Sequence, residues 1–275
     1  MVKLKIGMCQ MMTVKTSKMD NIKKAKEIME KAILQGAEIV VLPEMFNCPY
    51  NIKHFREYSE QFPNGDTIRM LSNVARDNSV YVVGGSIPEL DKDRVYNTCF
   101  VFDDKGNMIG KHRKAHLFDV DIKGKVKFKE SQVLSHGDKA TIIDTKWGKI
   151  GVEICYDIRF PELMRTMAMN GAKIVFVPAS FNMTTGPAHW EILFKSRALD
   201  NQIYIVGVSP ARNTSYSYVS YGNSLIVNPW GEITHRLDEK ENVLVGEIDL
   251  DYIDEVRKSL PLLKHLRPEV YNNVE

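Results

Sequence analysis

Residues 39–44 read Ile39-Val40-Val41-Leu42-Pro43-Glu44: an unbroken apolar run, a proline that ends it, then a carboxylate. A strand with one wet face alternates apolar and polar residues, so a continuous run points to a strand covered on both faces, as in a sheet flanked by helices. Upstream, Val2, Leu4, Ile6 and Met8 alternate like a half-buried strand. Between the two, Ser17 can cap a helix whose Ile22, Ala25, Ile28, Met29, Ala32 and Ile33 recur at helical spacing, with Gly36 as its stop. The first unit is expected to be β-α-β.

The pattern continues outward and then recurs. Thr67 to Asp77 reads as a helix with Ile68, Leu71, Val74 and Ala75 on one face, followed by a strand over Val80 to Val83. Strands over Val95 to Phe102 and Asn107 to His112 flank Asp103-Asp104-Lys105-Gly106, a hairpin turn. In the second half Ile150 to Ile154 is a strand, Pro161 to Met169 a helix, and Ile174-Val175-Phe176-Val177-Pro178 repeats the burst that ends in proline. A helix over Trp190 to Leu199 precedes Tyr204-Ile205-Val206-Gly207, which echoes Tyr81-Val82-Val83-Gly84, and YGNSLIVNPWGEITHR parallels YNTCFVFDDKGNMIGKHR. The chain reads as a diverged tandem duplication. Two related halves would pack their sheets face to face with helices outside, so the expected fold class is α/β, a four-layer αββα sandwich with an internal pseudo-twofold repeat. No Gly/Ser/Pro linker separates the halves, so one domain is expected over 1–250. Residues 251–275 then form a short helix (Asp251 to Lys258) and a tail apolar enough to need covering, by another subunit or by the chain's own core.

The composition narrows the class of protein. With 275 residues, 44% of them hydrophobic, the chain can bury a large core. Its 37 basic and 35 acidic residues nearly cancel, and no Lys/Arg block is interleaved with aromatics, so nucleic acid is not expected as a partner. No apolar run approaches the roughly 20 residues that span a bilayer, and the first residues alternate like a strand instead of forming a signal-peptide core. Neither a membrane nor secretion is expected; the setting is read as cytoplasmic. The four cysteines, Cys9, Cys48, Cys99 and Cys155, show no CxxC pairing and read as reduced thiols. The sequons at Asn182 and Asn213 then read as chance matches.

Glu44, Lys114 and Cys155 each follow a strand, and the carboxyl ends of strands are where sites are usually assembled in sheets flanked by helices. Cys155 follows an apolar strand and precedes a helix, whose unpaired N–H groups would favour the thiolate. A cysteine nucleophile needs a base, usually histidine. His112, His116 and His189 lie near candidate segments, but no spacing singles one out. A desolvated carboxylate can do the same work, and Glu44 suits that role, with Lys114 to counter the charge of a thiolate and of an oxyanion. Taken by themselves, these three residues are more often a packing cysteine, a helix-start glutamate and a solvated surface lysine.

LPEMF, HRKAHLFD and GVEICYDIRFPE, in this order, resemble the Glu, Lys and Cys motifs of the nitrilase superfamily of carbon–nitrogen hydrolases. The resemblance runs from about Leu4 to Leu250. It implies Glu44 as general base, Lys114 as oxyanion stabiliser and Cys155 as nucleophile, with Glu130 in FKESQVLSHGD as the second glutamate of the site. The segments HLFDVDIKGKVKFKES, SFNMTTGPAHWE and VSPARN resemble the ω-amidase branch. That branch implies hydrolysis of the terminal amide of keto acids such as 2-oxoglutaramate and 2-oxosuccinamate, no metal and no organic cofactor, and a homo-oligomer, dimer or larger. The oxyanion would sit between Lys114 and the backbone N–H of Tyr156. Arg159, four residues beyond Cys155 on the following helix, could grip the substrate carboxylate bidentately or pair structurally with Glu162 or Glu191. Thr185 and Tyr50 are further pocket candidates by the same resemblance. Rival readings are an N-carbamoyl amine or acid amidohydrolase with the same catalytic set, a catalytically silent partner-binding member, and a redox-sensing thiol. Nitrile hydrolysis fits the loops less well, and a glutaminase subunit would need a second domain.

Overall fold

In the computed structural model the described residues are 2–14 and 17–271; the last residues of the expected tail, 272–275, lie outside them. The elements in chain order are β1 (Lys3–Gln10), α1 (Lys18–Leu34), β2 (Ile39–Val41), α2 (Ile52–Tyr58), α3 (Asp66–Asn78), β3 (Tyr81–Val83), β4 (Ile87–Asp91), β5 (Arg94–Phe102) and β6 (Met108–Arg113). Then follow β7 (Asp119–Ile122), β8 (Val126–Lys129), β9 (Leu134–Ser135), β10 (Thr141–Thr145), β11 (Gly148–Val152), α4 (Pro161–Met169), β12 (Ala172–Pro178) and α5 (Gly186–Asn201). The chain closes with β13 (Tyr204–Val208), β14 (Leu225–Val227), β15 (Ile233–Arg236), β16 (Asn242–Asp249), α6 (Asp251–Ser259) and α7 (Pro268–Tyr271).

The strands form two large sheets and one hairpin. The first sheet runs β16-β1-β2-β3-β5-β4, with β6 and β9 also paired to β5; the second runs β10-β11-β12-β13-β14-β15; β7 and β8 stand apart. In the first sheet β1, β2 and β3 are parallel, with β16 antiparallel on one side and β5 then β6 antiparallel on the other. The second sheet repeats this: β11, β12 and β13 are parallel, β10 is antiparallel on one side, and β14 then β15 on the other. The internal repeat is therefore present in the hydrogen bonding itself. One strand sits differently in the chain: β10 enters as a hairpin with β11, whereas its counterpart β16 reaches β1 from the far end of the sequence.

The unbroken apolar runs are covered on both faces because the sheets face each other and helices lie outside. Ile39 and Val41 of β2 share the inter-sheet core with Val152, Ile174 and Phe176 of the second sheet, while Val40 points outward into a separate cluster with Ile28 and Met29 of α1 and Leu71 of α3. Each fully buried side chain of this kind contributes about 1.5–3 kcal/mol from transfer out of water. Ser17 caps α1, its side-chain oxygen accepting the Asp20 N–H at 3.1 Å. The helix expected from Trp190 starts earlier, at Gly186, because Pro187 needs no N–H partner in the first turn. The strands β4, β7 to β10 and β16 and the helix α2 were not marked in the sequence by a strong period or turn signal.

Candidate active site

The corners of both sheets meet at one buried cluster. Glu44 directly follows β2 and its proline, Lys114 follows β6, Glu130 opens a 3-10 turn after β8, and Cys155 follows β11. The Lys114 ammonium is buried and donates to Glu44 Oε1 at 2.9 Å and to Glu130 Oε1 at 3.0 Å. Glu44 Oε1 also accepts from Asn97 Nδ2 at 2.9 Å, and Glu44 Oε2 accepts the Ser180 N–H at 2.8 Å. Ser180 follows β12, so the burst-and-proline corner of the second half closes onto the glutamate at the corner of the first. Glu130 Oε2 accepts the Phe118 N–H at 2.7 Å from the other end of the β7–β8 hairpin.

The electrostatics follow from burial and crowding. Burial by itself would lower the Lys114 ammonium, but the carboxylates of Glu130 and Glu44 raise it well above its ordinary value, so it stays charged. Burial raises the Glu130 carboxyl, against the Lys114 charge and with the Glu44 charge. Burial also pushes the Cys155 thiol well above the usual range, helped by the Glu44 charge, while the Lys114 charge acts in the opposite sense. At rest the sulfur is thus held as a thiol, close to a buried carboxylate.

This corrects one expectation. Cys155 does not begin a helix: it enters a 3-10 turn over Cys155–Arg159, and α4 starts at Pro161. The helix terminus that would favour a thiolate lies beyond the turn, so desolvation governs the sulfur. Cys155 itself adopts a left-handed backbone with φ of 49°, an unfavourable conformation for a non-glycine residue that sets the side chain at a sharp corner. Arg159 closes the same turn and does not ride on a helix.

Among the described residues, none of the three histidines hydrogen-bonds to Cys155. His112 Nε2 and His116 Nδ1 both bond to the buried Asp157 carboxylate, at 3.0 and 2.8 Å. The same carboxylate accepts the N–H groups of His116 at 2.8 Å and Ile154 at 3.0 Å. Asp157 thus ties the segment that carries Lys114 to the turn that carries Cys155, and these bonds hold its carboxyl well below the usual range even though burial opposes them. His189 accepts from Arg159 Nη1 at 3.3 Å.

The substrate-side candidates part company. The Arg159 guanidinium lies over the rings of Phe181 at 4.9 Å and Tyr156 at 5.7 Å, and among the described residues no carboxylate pairs with it; Glu191 binds Arg236 instead. Thr185 is buried, its hydroxyl donating to Asn182 Oδ1 at 3.3 Å, with no bond to the glutamate–lysine cluster. The Tyr50 hydroxyl lies 2.9 Å from Glu130 Oε1 and 3.2 Å from Glu44 Oε1. Tyr218, which no motif singled out, stacks on Tyr50 at 4.5 Å and donates to the Ser180 carbonyl at 2.5 Å. Nothing local distinguishes it in the sequence, where it stands among other tyrosines at 216 and 221. Asp157 was more visible, two residues after Cys155, but only its partners disclose its part.

Comparison with known proteins places this geometry among relatives. The sequence profile of the carbon–nitrogen hydrolase family matches residues 5–258. Omega-amidase NIT2-A of Xenopus laevis is 47% identical over 272 residues, covering 99% of this chain and 98% of that protein. Omega-amidase NIT2 of Homo sapiens is 45% identical over 258 residues, covering 94% and 93%. Among solved structures, Nit3 of Saccharomyces cerevisiae, a member of branch 10 of the nitrilase superfamily, superposes with a TM-score of 0.89 at 43% identity, covering 96% of each chain.

Proposed function

The chain belongs to the carbon–nitrogen hydrolase family, and on that premise we propose that it is an ω-amidase, releasing ammonia from the terminal amide of a small keto acid such as 2-oxoglutaramate or 2-oxosuccinamate. The reaction is hydrolysis of a linear amide through a thioester on Cys155. The Glu44 carboxylate takes the thiol proton, and the sulfur attacks the amide carbon. The carbonyl electrons move onto oxygen, where the free N–H of the Lys114 ammonium and the Tyr156 backbone N–H receive the charge; one such donor is worth on the order of 2.7–4 kcal/mol of barrier. As the carbon–nitrogen bond breaks, Glu44 returns its proton to the nitrogen and ammonia leaves. Water then gives a proton to Glu44 and attacks the thioester, the carbon–sulfur bond breaks, and the sulfur recovers the proton as the acid departs. Glu130 holds Lys114 together with Glu44.

The observation that carries the substrate class is Arg159. A guanidinium on the nucleophile turn, oriented by two rings and a histidine and without a carboxylate partner among the described residues, suits the carboxylate at the far end of a keto-acid amide. Thr185 is the further candidate for the pocket wall, whereas the Tyr50 hydroxyl is engaged by Glu44 and Glu130. Replacing Arg159 by Ala or Lys is expected to raise KM for 2-oxoglutaramate about tenfold or more, with less than about twofold change for a neutral aliphatic amide. Equal loss on both would make Arg159 structural, and greater ammonia release from N-carbamoyl compounds would move the enzyme to that class. We propose further that the protein is cytoplasmic, in keeping with its four unpaired cysteines, and a homo-oligomer, in keeping with the exposed Val270 and Tyr271 on the tail. No helix among the described residues is long and apolar enough to cross a membrane.

A further inference from the structure

Tyr50 is fixed everywhere except at its hydroxyl proton. Its ring packs against Phe55 at 5.8 Å, Phe128 at 5.5 Å and Tyr218 at 4.5 Å. Its oxygen faces Glu130 Oε1 at 2.9 Å and Glu44 Oε1 at 3.2 Å, and those same two oxygens receive Lys114 Nζ at 3.0 and 2.9 Å. Two carboxylate oxygens are thus bridged twice, once by an ammonium and once by a phenol. The bridges differ in capacity: an ammonium has three protons and serves both carboxylates together, whereas a phenol has one and serves one at a time.

We propose that Tyr50 is a positioning residue that shares its single hydroxyl proton between Glu44 and Glu130, turning toward whichever carboxylate is charged as Glu44 gains and loses the proton of Cys155. Before the attack both carboxylates are charged and either can accept. Once Glu44 holds the proton, the phenol serves Glu130 alone and keeps that charge from drawing Lys114 away from the oxyanion. When Glu44 gives its proton to the departing amine, the hydroxyl is again free to turn. Burial and both glutamate charges hold the phenol well above its ordinary range, so it acts as a donor and not as a phenolate. Gripping the substrate carboxylate would require the hydroxyl to abandon both charged acceptors, which a fixed ring next to two buried carboxylates does not favour. The inference rests on Glu44 being the base, as proposed above.

Tyr50→Phe keeps the ring and removes only the hydroxyl. Without that donor the cluster holds its protons more tightly, so the pH midpoint for alkylation of Cys155 by iodoacetamide is expected to rise by about one unit, the loss of one hydrogen bond to a charged group. On the amide substrate kcat should fall about tenfold while KM moves less than about twofold. In a Glu44→Gln background the same substitution should shift the midpoint by clearly less, because one of the two acceptors has lost its charge. A KM rise of tenfold or more with an unmoved midpoint would overturn the proposal in favour of substrate binding. An unmoved midpoint with unchanged kinetics would leave Tyr50 a packing residue and overturn it as well. Alkylation needs no keto-acid amide, so failure of the enzyme on 2-oxoglutaramate would strike the substrate assignment and leave this test standing.

Discussion

Glu44 accepts from a lysine, an asparagine and a backbone amide at once, and its charge acts on the Cys155 thiol. This crowding holds the carboxylate in one orientation. It also makes a prediction with opposite signs for two measurements. Burial is the first cause of the raised thiol and the Glu44 charge the second. In Glu44→Gln the second cause is gone, so the midpoint of Cys155 alkylation should fall while amide turnover drops by about 10²- to 10⁴-fold for want of a base. A midpoint that rose would mean that Glu44 favours the thiolate. At this scale the sequence displayed the residue types but not their partners. Glu44 and Lys114 stand in segments that read more often as a helix start and a solvated surface, and 70 residues separate them.

Between residue and fold, the elements that carry the site are held together by Asp157. One buried carboxylate accepts from His112, His116 and Ile154, joining the end of β6 to the turn after β11. Asp157→Ala would leave the buried His112 and Ile154 donors unpaired and should cost roughly 1–3 kcal/mol for each. The pH dependence has a definite sign. The folded carboxyl is depressed below its unfolded value of about 3.9, so its stabilisation is complete above that value and is lost as pH falls through the lower folded one. The difference in Tm between the wild type and Asp157→Asn should be largest near neutral pH and shrink below about pH 4. A deficit that grew in acid would refute the clamp. In the sequence, Cys155 reads as preceding a helix that opens at Pro161; the intervening 3-10 turn leaves no trace there, since five residues are too few to show a period.

For the whole molecule, the repeat brings two glycines to matching crossings of the sheets. A Cβ on Gly110 in β6 would meet Ile143 of β10 at 2.5 Å, and one on Gly246 in β16 would meet Ile226 of β14 at 2.7 Å. These are the antiparallel strands at opposite ends of the sandwich, and their close approach needs a residue without a side chain. Gly110→Val and Gly246→Val should each destabilise by about 1–3 kcal/mol, read as a lowered Tm. Only Gly110→Val should also reduce kcat strongly, because Lys114 comes directly after that strand. Equal activity loss in both would mean that the sheet spacing as a whole, and not the course of β6, positions the ammonium.

The αββα layering, the tandem repeat and most helices were readable in the sequence because periodicity and apolar runs are local properties: they record which faces of a segment avoid water, whatever its neighbours prove to be. The motifs added the identity of the candidate residues. What the tertiary structure alone decided is the set of partnerships: Lys114 between two glutamates, Tyr50 turned to the same pair, Asp157 spanning two elements, and Arg159 without a carboxylate among the described residues. Each depends on how two sheets distant in sequence dock, and docking is set by side-chain packing across the interface, which no single stretch of sequence contains.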